Sequence, residues 1–439
     1  MHFKSNYTHL YKIILIGLGF STLVLFGGSK ESIFLILILA SLAFIGAELI
    51  SKLANTEIKK KISLYAVPTC FLIIVILNLT GWIGTLTGAS SGNQNFALLL
   101  AAPFYLLSIA AYFSDAIAGK IKKISFLNYL LYISLPFKLL AGPLEPPALI
   151  KQIEALKPRF RNTYILVAWP WVVLGVFMKF VIANRLNPAA NLHLTDPVSA
   201  LLTASVFEIK FYFDFAGYSF IAYGLALASG LKINHNFEHP FFAANVVLFW
   251  RRWHMSLGRF LSRYILEPNL KFIKTRSGKE VFASSIFIVS AMWHGGTVNY
   301  LFWGIFHAIC YYSYIKYLKK IRFKNITSVS SMLAFFVLGR FLATEANTDR
   351  LFEKIKNIFY PEYYIEYISN PQLNYIFQLT EFKALLLTGL FFFFEAYSLH
   401  RYSRNRPYHF FRKPIISIMM LIIVICFSVQ SGGLLYARI

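Results

Sequence analysis

Apolar runs of about 17–25 residues, each long enough to cross a ~30 Å hydrocarbon layer as a helix, recur from Leu10 to Phe427 with short polar breaks between them. Runs of this length predict helices, because a transmembrane barrel shows short alternating segments instead. The first two, 10–28 and 33–50, lead into "SKLANTEIKKK", whose lysines assign that loop and the N-terminus to the cytoplasm. The first run lacks a small-x-small cleavage site and a second follows at once, so it is expected to stay as the first helix. Runs 64–86 and 96–118 flank the uncharged "TGASSGNQN", which therefore faces outward, and "GKIKK" returns the chain to the cytoplasm.

The next stretch, "FLNYLLYISLPFKLLAGPLEPPALI", contains four prolines and is flanked on both sides by basic residues. A segment broken in this way reads as re-entrant, which is tolerable in a bilayer only when it is packed in protein. Run 164–183 crosses outward and 198–230 returns carrying Glu208, Lys210 and Asp214. Lys210 and Asp214 stand four apart, so an intrahelical salt bridge and an ion relay both fit them.

"FWRRWHMSLGRFLSRYI" sets four arginines and a histidine among aromatic and aliphatic residues. A helix over 247–265 gathers Val247, Leu248, Leu257, Phe260 and Leu261 on an apolar side. Arg251, Arg252, Arg259 and Arg263 then reach the polar boundary, as in an interfacial helix at the cytoplasmic face, where they meet phosphate-rich ligands or lipid headgroups. The apolar run 281–293 spans about 20 Å at 1.5 Å per residue, too short to cross alone, which puts His294 part of the way into the membrane. Runs 300–317, 329–342, 382–398 and 414–429 complete the chain, with a polar outer loop from Ala346 to Phe382. Within that loop "FYPEYYIEY" offers Tyr363, Tyr364 and Tyr367 to a partner or to the aromatic belt of the bilayer. The expected architecture is an all-α polytopic membrane protein of about nine to eleven transmembrane helices plus re-entrant segments, forming one domain over 1–439.

Composition agrees with this pattern and excludes a soluble domain, since 57% of the 439 residues are hydrophobic and only 14% are charged. The net charge of +24 is spread over the loops between apolar runs, the distribution of cytoplasmic positive charge rather than of a nucleic-acid surface. Cys70, Cys310 and Cys426 lie far apart in apolar runs and indicate neither disulfides nor a zinc site.

His294, followed by Gly295 and Gly296, is the most informative position. A buried histidine there fits helix packing, but a neutral imidazole is also suited to taking a proton from a hydroxyl. The two glycines leave backbone open for a substrate to approach. His254 supplies a second imidazole, and two histidines without paired cysteines or carboxylates suit acyl transfer better than metal binding.

"FYFDFAGYSFIAYGLALASGLKINHNFEHPF", then "FWRRWHMSLGRFLSRYI" and "SAMWHGGTVNYLFWGIFHAI", resemble the signature core of the membrane-bound O-acyltransferase family. The bacterial cell-surface branch, with its alginate and peptidoglycan O-acetylation and teichoic-acid D-alanylation proteins, is the most similar. "FYLLSIAAYFSDAIAGKI", "LLAGPLEPPALIKQI", "GVFMKFVIANRL" and "GRFLATEANTDRLF" extend the resemblance over about 95–360. It implies a ring of tilted helices around a central tunnel in a bacterial cytoplasmic membrane. His294 matches the family's histidine in its W-H-G element, and His254 matches the second, Asn or His, position. The donor implied is a cytoplasmic thioester, acyl-CoA or an acyl or D-alanyl carrier protein with its phosphopantetheine arm, and no permanently bound cofactor. The acceptor partner implied is an extracytoplasmic transferase or a small membrane peptide. Donor contacts fall to Arg251, Arg252, Arg259, Arg263, Trp293, Gly295 and Gly296, and structural or tunnel roles to Glu208, Lys210, Asp214 and Tyr218. "EPNLKFIKTRSGKE" departs from the alginate type, while "FDFAGYS", "NFEHPF" and "WHMSL" favour D-alanyl over acetyl transfer and "FWRRWH" the reverse. Two readings of other classes stay open: a transporter or flippase using Glu208, Lys210 and Asp214, and an inactive scaffold for a secreted partner.

Overall fold

The computed structural model describes residues 2–25, 30–86, 102–138, 142–157, 162–186, 196–319, 325–343, 345, 347–360, 362, 364, 379–401 and 408–428. Every regular element among them is helical. The chain opens with α1 (His2–Leu25), α2 (Lys30–Ser51), α3 (Thr56–Leu86) and α4 (Ala102–Ile117). Short pieces α5 (Phe126–Ser134) and α6 (Ile150–Glu154) follow, then α7 (Asn162–Val176), which continues through a wide turn at Phe177–Ile182 and a tight one at Ala183–Leu186. The central helix is α8 (Pro197–Ala228). Beyond it come α9 (Val246–Trp250), α10 (Met255–Leu261), α11 (Glu267–Leu270), α12 (Arg276–His294) and α13 (Val298–Ser313). The last four are α14 (Asn325–Ala343), α15 (Thr348–Asn357), α16 (Leu379–Arg401) and α17 (Pro414–Phe427).

Three stretches are long and apolar enough to cross a membrane by length and composition: Ile33–Ser51, Thr56–Thr80 and Asn162–Leu186. The outer helices keep large apolar side chains on the surface, Leu18 on α1, Leu42 on α2, Leu72 on α3, Phe393 on α16 and Ile425 on α17 among them. A water-facing surface would not tolerate such a band, and hydrocarbon satisfies it. By contrast α8 is buried nearly all round, with Tyr212, Phe213, Phe215, Ala216 and Phe220 each at most 1% exposed. Its start is fixed locally. Asp196 caps it by accepting from the Ser199 amide at 2.8 Å, and Pro197 occupies the first turn, where no amide proton is needed.

Helices α7 and α8 cross on small residues. A Cβ at Gly175 would stand 2.3 Å from the Gly217 carbonyl oxygen, one at Gly217 would stand 2.8 Å from that of Gly175, and one at Gly224 would stand 2.9 Å from that of Ala168. Close backbone approach of this kind is how helices gain packing contact where lipid supplies no hydrophobic drive. The same crossing brings Lys179 beside Asp214, both buried. Asp214 is therefore held across two helices, a contact additional to the within-helix pairing with Lys210 that the spacing suggests. Lys210 itself is buried, with its ammonium 5.4 Å from the centre of the Phe207 ring.

Two expectations are corrected. The segment 247–265 is not one helix: α9 ends at Trp250, and His254 takes a left-handed backbone conformation, φ 42°, before α10 begins. The break follows from pairing with the loop ahead of it, because the Glu238 amide donates to the Arg252 carbonyl at 3.0 Å and the Met255 amide donates to the Asn236 carbonyl at 2.9 Å. Secondly, α12 has 19 residues, about 28 Å, because the polar "RSGKE" is helical as well, capped by Thr275 accepting from the Gly278 amide at 3.1 Å. The short apolar run thus understates the helix, and helix length does not set the depth of His294. The helix break within 126–149 is as expected, since α5 has nine residues, too few to span. Of the tyrosines in the outer loop, Tyr363 and Tyr367 lie outside the described residues, while the Tyr364 hydroxyl donates to the Ile358 carbonyl at 3.0 Å.

The α7–α8 crossing yields a stability prediction. Gly217→Ala should cost about 1–3 kcal/mol, since the added methyl meets backbone that cannot move aside. Thermal unfolding of the detergent-purified variant checks it, and an unchanged midpoint would refute the close-packed crossing.

Candidate active site

Four helices each turn one stripe toward a common interior space. On α8 the stripe is Glu208, Phe211 and Phe215; on α12 it is Ile286, Phe287, Ser290 and His294; on α13 it is Tyr300, Trp303 and His307; on α14 it is Phe336, Arg340 and Ala343. Each set follows the three-to-four residue period of a helix face. Residues between Phe249 and Leu266, from α9 through α10 and the turn after it, close the remaining side, with Trp253, His254 and Leu257 on the wall. The space they line is about 180 Å³. A cavity of roughly 150 Å³ admits benzene, so this one has room for a small acyl group.

His254 and His294 both line it. His254 is 5% exposed, with its ring edge-on to Phe215 at 4.8 Å between centroids. Its position is set by the backbone pairing described above, and by Asn236, whose side-chain carbonyl accepts from the Ser256 amide and whose amide donates to Ser219 Oγ at 3.1 Å. The Ser256 hydroxyl in turn accepts from the Leu144 amide at 2.9 Å, which ties the proline-rich segment after α5 to the same loop. His294 is the last residue of α12, where helix carbonyls run out of internal partners. Asn78 of α3 supplies them: its Nδ2 donates to the Met292 and Trp293 carbonyls at 3.1 and 2.8 Å.

The two glycines after His294 serve packing rather than substrate access. A Cβ at Gly295 would enter the Tyr300 ring at 2.2 Å, and one at Gly296 would meet the Asn78 carbonyl oxygen at 2.2 Å. Trp293 likewise points away from the cavity, packed against Phe71 and Phe104 at 5.7 Å each. Neither glycine nor Trp293 is on the cavity wall, and Lys210, Asp214 and Tyr218 are not on it either.

The arginines divide. Arg263 donates to Asp115 Oδ2 at 2.7 Å, an oxygen that also accepts from the Tyr264 hydroxyl at 2.9 Å, and Arg252 donates to the Phe242 carbonyl at 3.2 Å. These two hold the segment in place. Arg251 and Arg259 are exposed, Arg259 with one hydrogen bond to the His235 carbonyl at 3.2 Å. None of the four touches the cavity.

Sequence reasoning misses His307, Trp303 and Arg340. The ring of His307 stands 4.5 Å from Trp303 and 5.0 Å from Trp250, buried on the wall beside His294. A signal is present, since Tyr300, Trp303 and His307 share one face of a helix, but a histidine outside the W-H-G element belongs to no motif that singles it out. Arg340 pairs with Glu208, Nε to Oε2 at 2.5 Å, so that carboxylate is neutralised inside the protein. Among the described residues no group of three or more His, Cys, Asp or Glu is placed to hold a metal ion.

Fold and cavity define a helical membrane protein whose interior presents imidazoles in an aromatic chamber. The chain belongs to the membrane-bound O-acyltransferase (MBOAT) family, whose profile matches residues 23–332. That match starts and ends earlier than the stretch whose motifs carry the resemblance. A peptidoglycan O-acetyltransferase of Helicobacter pylori is 30% identical over 195 residues, 42% of this chain and 36% of that one. A probable alginate O-acetylase AlgI of Pseudomonas syringae is 28% identical over 219 residues, 47% of this chain and 40% of the relative. A teichoic acid D-alanyltransferase of Bacillus subtilis is 28% identical over 186 residues, 39% of this chain and 47% of its own. The matched stretches thus span less than half of each of these relatives.

Asn78 carries a prediction of its own. Asn78→Ala leaves the last carbonyls of α12 without their donor and should destabilise the protein by about 1–3 kcal/mol, with faster amide exchange at the end of that helix. Hydrogen exchange read by mass spectrometry checks it, and unchanged protection there would overturn the anchoring role.

Proposed function

We propose that this protein transfers a small acyl group from a cytoplasmic thioester to a hydroxyl presented from outside the cell. The carrying observation is that His254 and His294 meet on the wall of one acyl-sized cavity. The donor is acyl-CoA or a carrier protein bearing phosphopantetheine, and it is substrate, not resident cofactor. His294, as neutral imidazole, takes the acceptor's hydroxyl proton while the oxygen bonds to the acyl carbon. The carbon–sulfur bond then breaks, and the proton passes to the departing thiolate, leaving an ester and a thiol. His254 orients donor or acceptor by hydrogen bonding. The topology suits this reaction, with about nine to eleven spans in a bacterial cytoplasmic membrane and the basic segment 251–263 at the donor side. D-alanyl transfer to teichoic acid is the favoured version and O-acetylation of an exopolysaccharide or peptidoglycan the alternative, and the relatives are divided between the two. An extracytoplasmic transferase or small membrane peptide completes delivery to the polymer.

The test is transfer of labelled acyl group from thioester to envelope polymer in membranes. His294→Ala should lower it by about 10²–10⁴-fold with expression retained, since that is what a general base contributes. His254→Ala should retain partial activity. Near-full turnover in His294→Ala would refute the assignment, and loss of D-alanine or acetate esters from the envelope on deletion identifies the acyl group.

Donor docking falls to Arg251 and Arg259, exposed arginines of the segment, since Arg263, exposed as well, is engaged by the buried Asp115. Reversing both to glutamate should raise the donor KM in a salt-dependent manner, because rim charges act on encounter through long-range attraction. An unchanged KM at low ionic strength would assign them to lipid headgroups instead.

A further inference from the structure

The cavity is lined mainly by aromatic and aliphatic groups, and besides the histidines and two serines, Ser262 and Ser290, it holds one ion pair, Glu208 with Arg340. Their side chains are 9% and 11% exposed, and the guanidinium lies 4.4 Å from the centre of the Phe211 ring and 5.2 Å from that of Phe207. A buried ion pair is a poor way to stabilise a fold, because apolar residues of the same volume commonly do as well or better. Of the pairs Lys179–Asp214, Arg263–Asp115, His239–Glu395 and Arg340–Glu208, only the last lines a cavity, the setting in which a charge held inside a membrane protein points to a substrate route.

Place along the cavity says which substrate. Glu208, Phe211 and Phe215 lie on one face of α8, and Phe215 is the residue that packs on His254. Seven residues of helix put the ion pair about 10 Å from Phe215, toward the Pro197 end of α8. By the charge pattern of the loops that end faces outward. Ser262 and Leu266 also line the cavity, next to the basic segment. The ion pair therefore lies outward of Phe215 and of the His254 ring packed on it, while His307, whose Nε2 would stand 2.9 Å from a Cβ at Gly339, is level with Arg340.

Glu208 engages Arg340 through Nε alone, while the stacking on Phe207 and Phe211 fixes the plane of the guanidinium. The Nη side of that fork matches a carboxylate or phosphate in two-pronged geometry, which a lysine would not reproduce. We infer that Arg340 is the acceptor-binding residue of this cavity, holding the anionic group, carboxylate or phosphate, of a hydroxyl-bearing acceptor on the outer side of His254. Glu208 is the resident counter-charge that keeps the arginine soluble in the protein interior until the acceptor arrives. This rests on the acyl-transfer reading above.

Binding and reaction are tested separately. Glucuronate, glycerol 3-phosphate and neutral glycerol are titrated into the detergent-purified full chain, with tryptophan fluorescence as the readout because Trp250, Trp253 and Trp303 line the cavity. One or both anions should bind saturably and glycerol should not, the tighter anion telling carboxylate from phosphate. Arg340→Gln strands Glu208 in the interior, so the paired variant Glu208→Gln/Arg340→Gln is used, and it should weaken anion binding by about tenfold or more. Glu208→Gln alone should tighten it, having lost a competing carboxylate. Equal anion affinity in wild type and the paired variant, or no preference for anions over glycerol in wild type, overturns the inference. Labelled acyl transfer by the wild-type protein is measured alongside. Saturable anion binding through Arg340 without any acyl transfer would sink the reaction and leave the anion site standing, whereas transfer with no dependence of acceptor KM on Arg340 would do the reverse.

Discussion

The structure depends on one constraint: peptide groups that leave a helix inside a membrane protein must find partners within the protein. The chain from Leu231 to Asn245 holds no helix beyond a single tight turn, and yet only Lys232 and Ala244 along it are exposed. It survives there because its polar groups close on one another and on their neighbours. Asn234 gives its backbone and side-chain N–H groups to the two oxygens of Glu145 at 2.6 and 2.8 Å, Asn236 bridges to Ser219, and the 236–238 backbone pairs with 252–255. His254 is a member of that closed set, and its left-handed conformation, unusual for a side-chain-bearing residue, persists only because the surroundings over-determine it. Strain at a cavity wall held by such a network is the mark of a side chain whose direction matters more than its local backbone energy.

Much of the architecture is legible from periodicity alone. Apolar runs locate the long helices, although α1 and α3 each begin eight residues ahead of their runs, and proline density marks the helix break within 126–149. The failures have a common cause. An amphipathic pattern over 247–265 satisfies the helical period whether or not the chain stays helical, and nothing local announces that Glu238 and Met255 will pair with partners on the other strand of the loop. Likewise the polar start of α12 reads as loop when polarity, not propensity, sets the boundary. Tertiary hydrogen bonding overrides the pattern in one case, and a capped polar turn extends it in the other.

The candidate site is half legible. His254 and His294 stand out in the sequence and do share a cavity, but that they do so depends on contacts separated by more than two hundred residues, such as Asn78 with Met292 and Trp293. Gly295 and Gly296 illustrate how one observation carries two meanings. Absence of a side chain suggests room for substrate, and the room is filled by Tyr300 and the α3 backbone. The glycines matter to His294 indirectly, by letting α3 and α13 close on the turn that ends α12.

Charge inside the protein follows a consistent logic. Lys179 meets Asp214, Arg340 meets Glu208, Arg263 meets Asp115, and His239 meets Glu395 at 2.6 Å, each pair joining elements distant in sequence. A transporter relay needs carboxylates that exchange ions, whereas these carboxylates already have cationic or imidazole partners drawn from other helices. Three of the pairs lie away from the cavity, where they fix helix against helix, and only Glu208 with Arg340 faces it. Since burying any of these charges alone is costly, each partner constrains where the other can evolve. The histidine wall, by contrast, is surrounded by aromatic rings, with Trp250, Trp303 and Phe335 packed around His307 at 5.0, 4.5 and 4.8 Å. A chamber built this way favours proton transfer at its histidines and confines fixed charge to one end, a division of labour that a uniformly polar pore would lack.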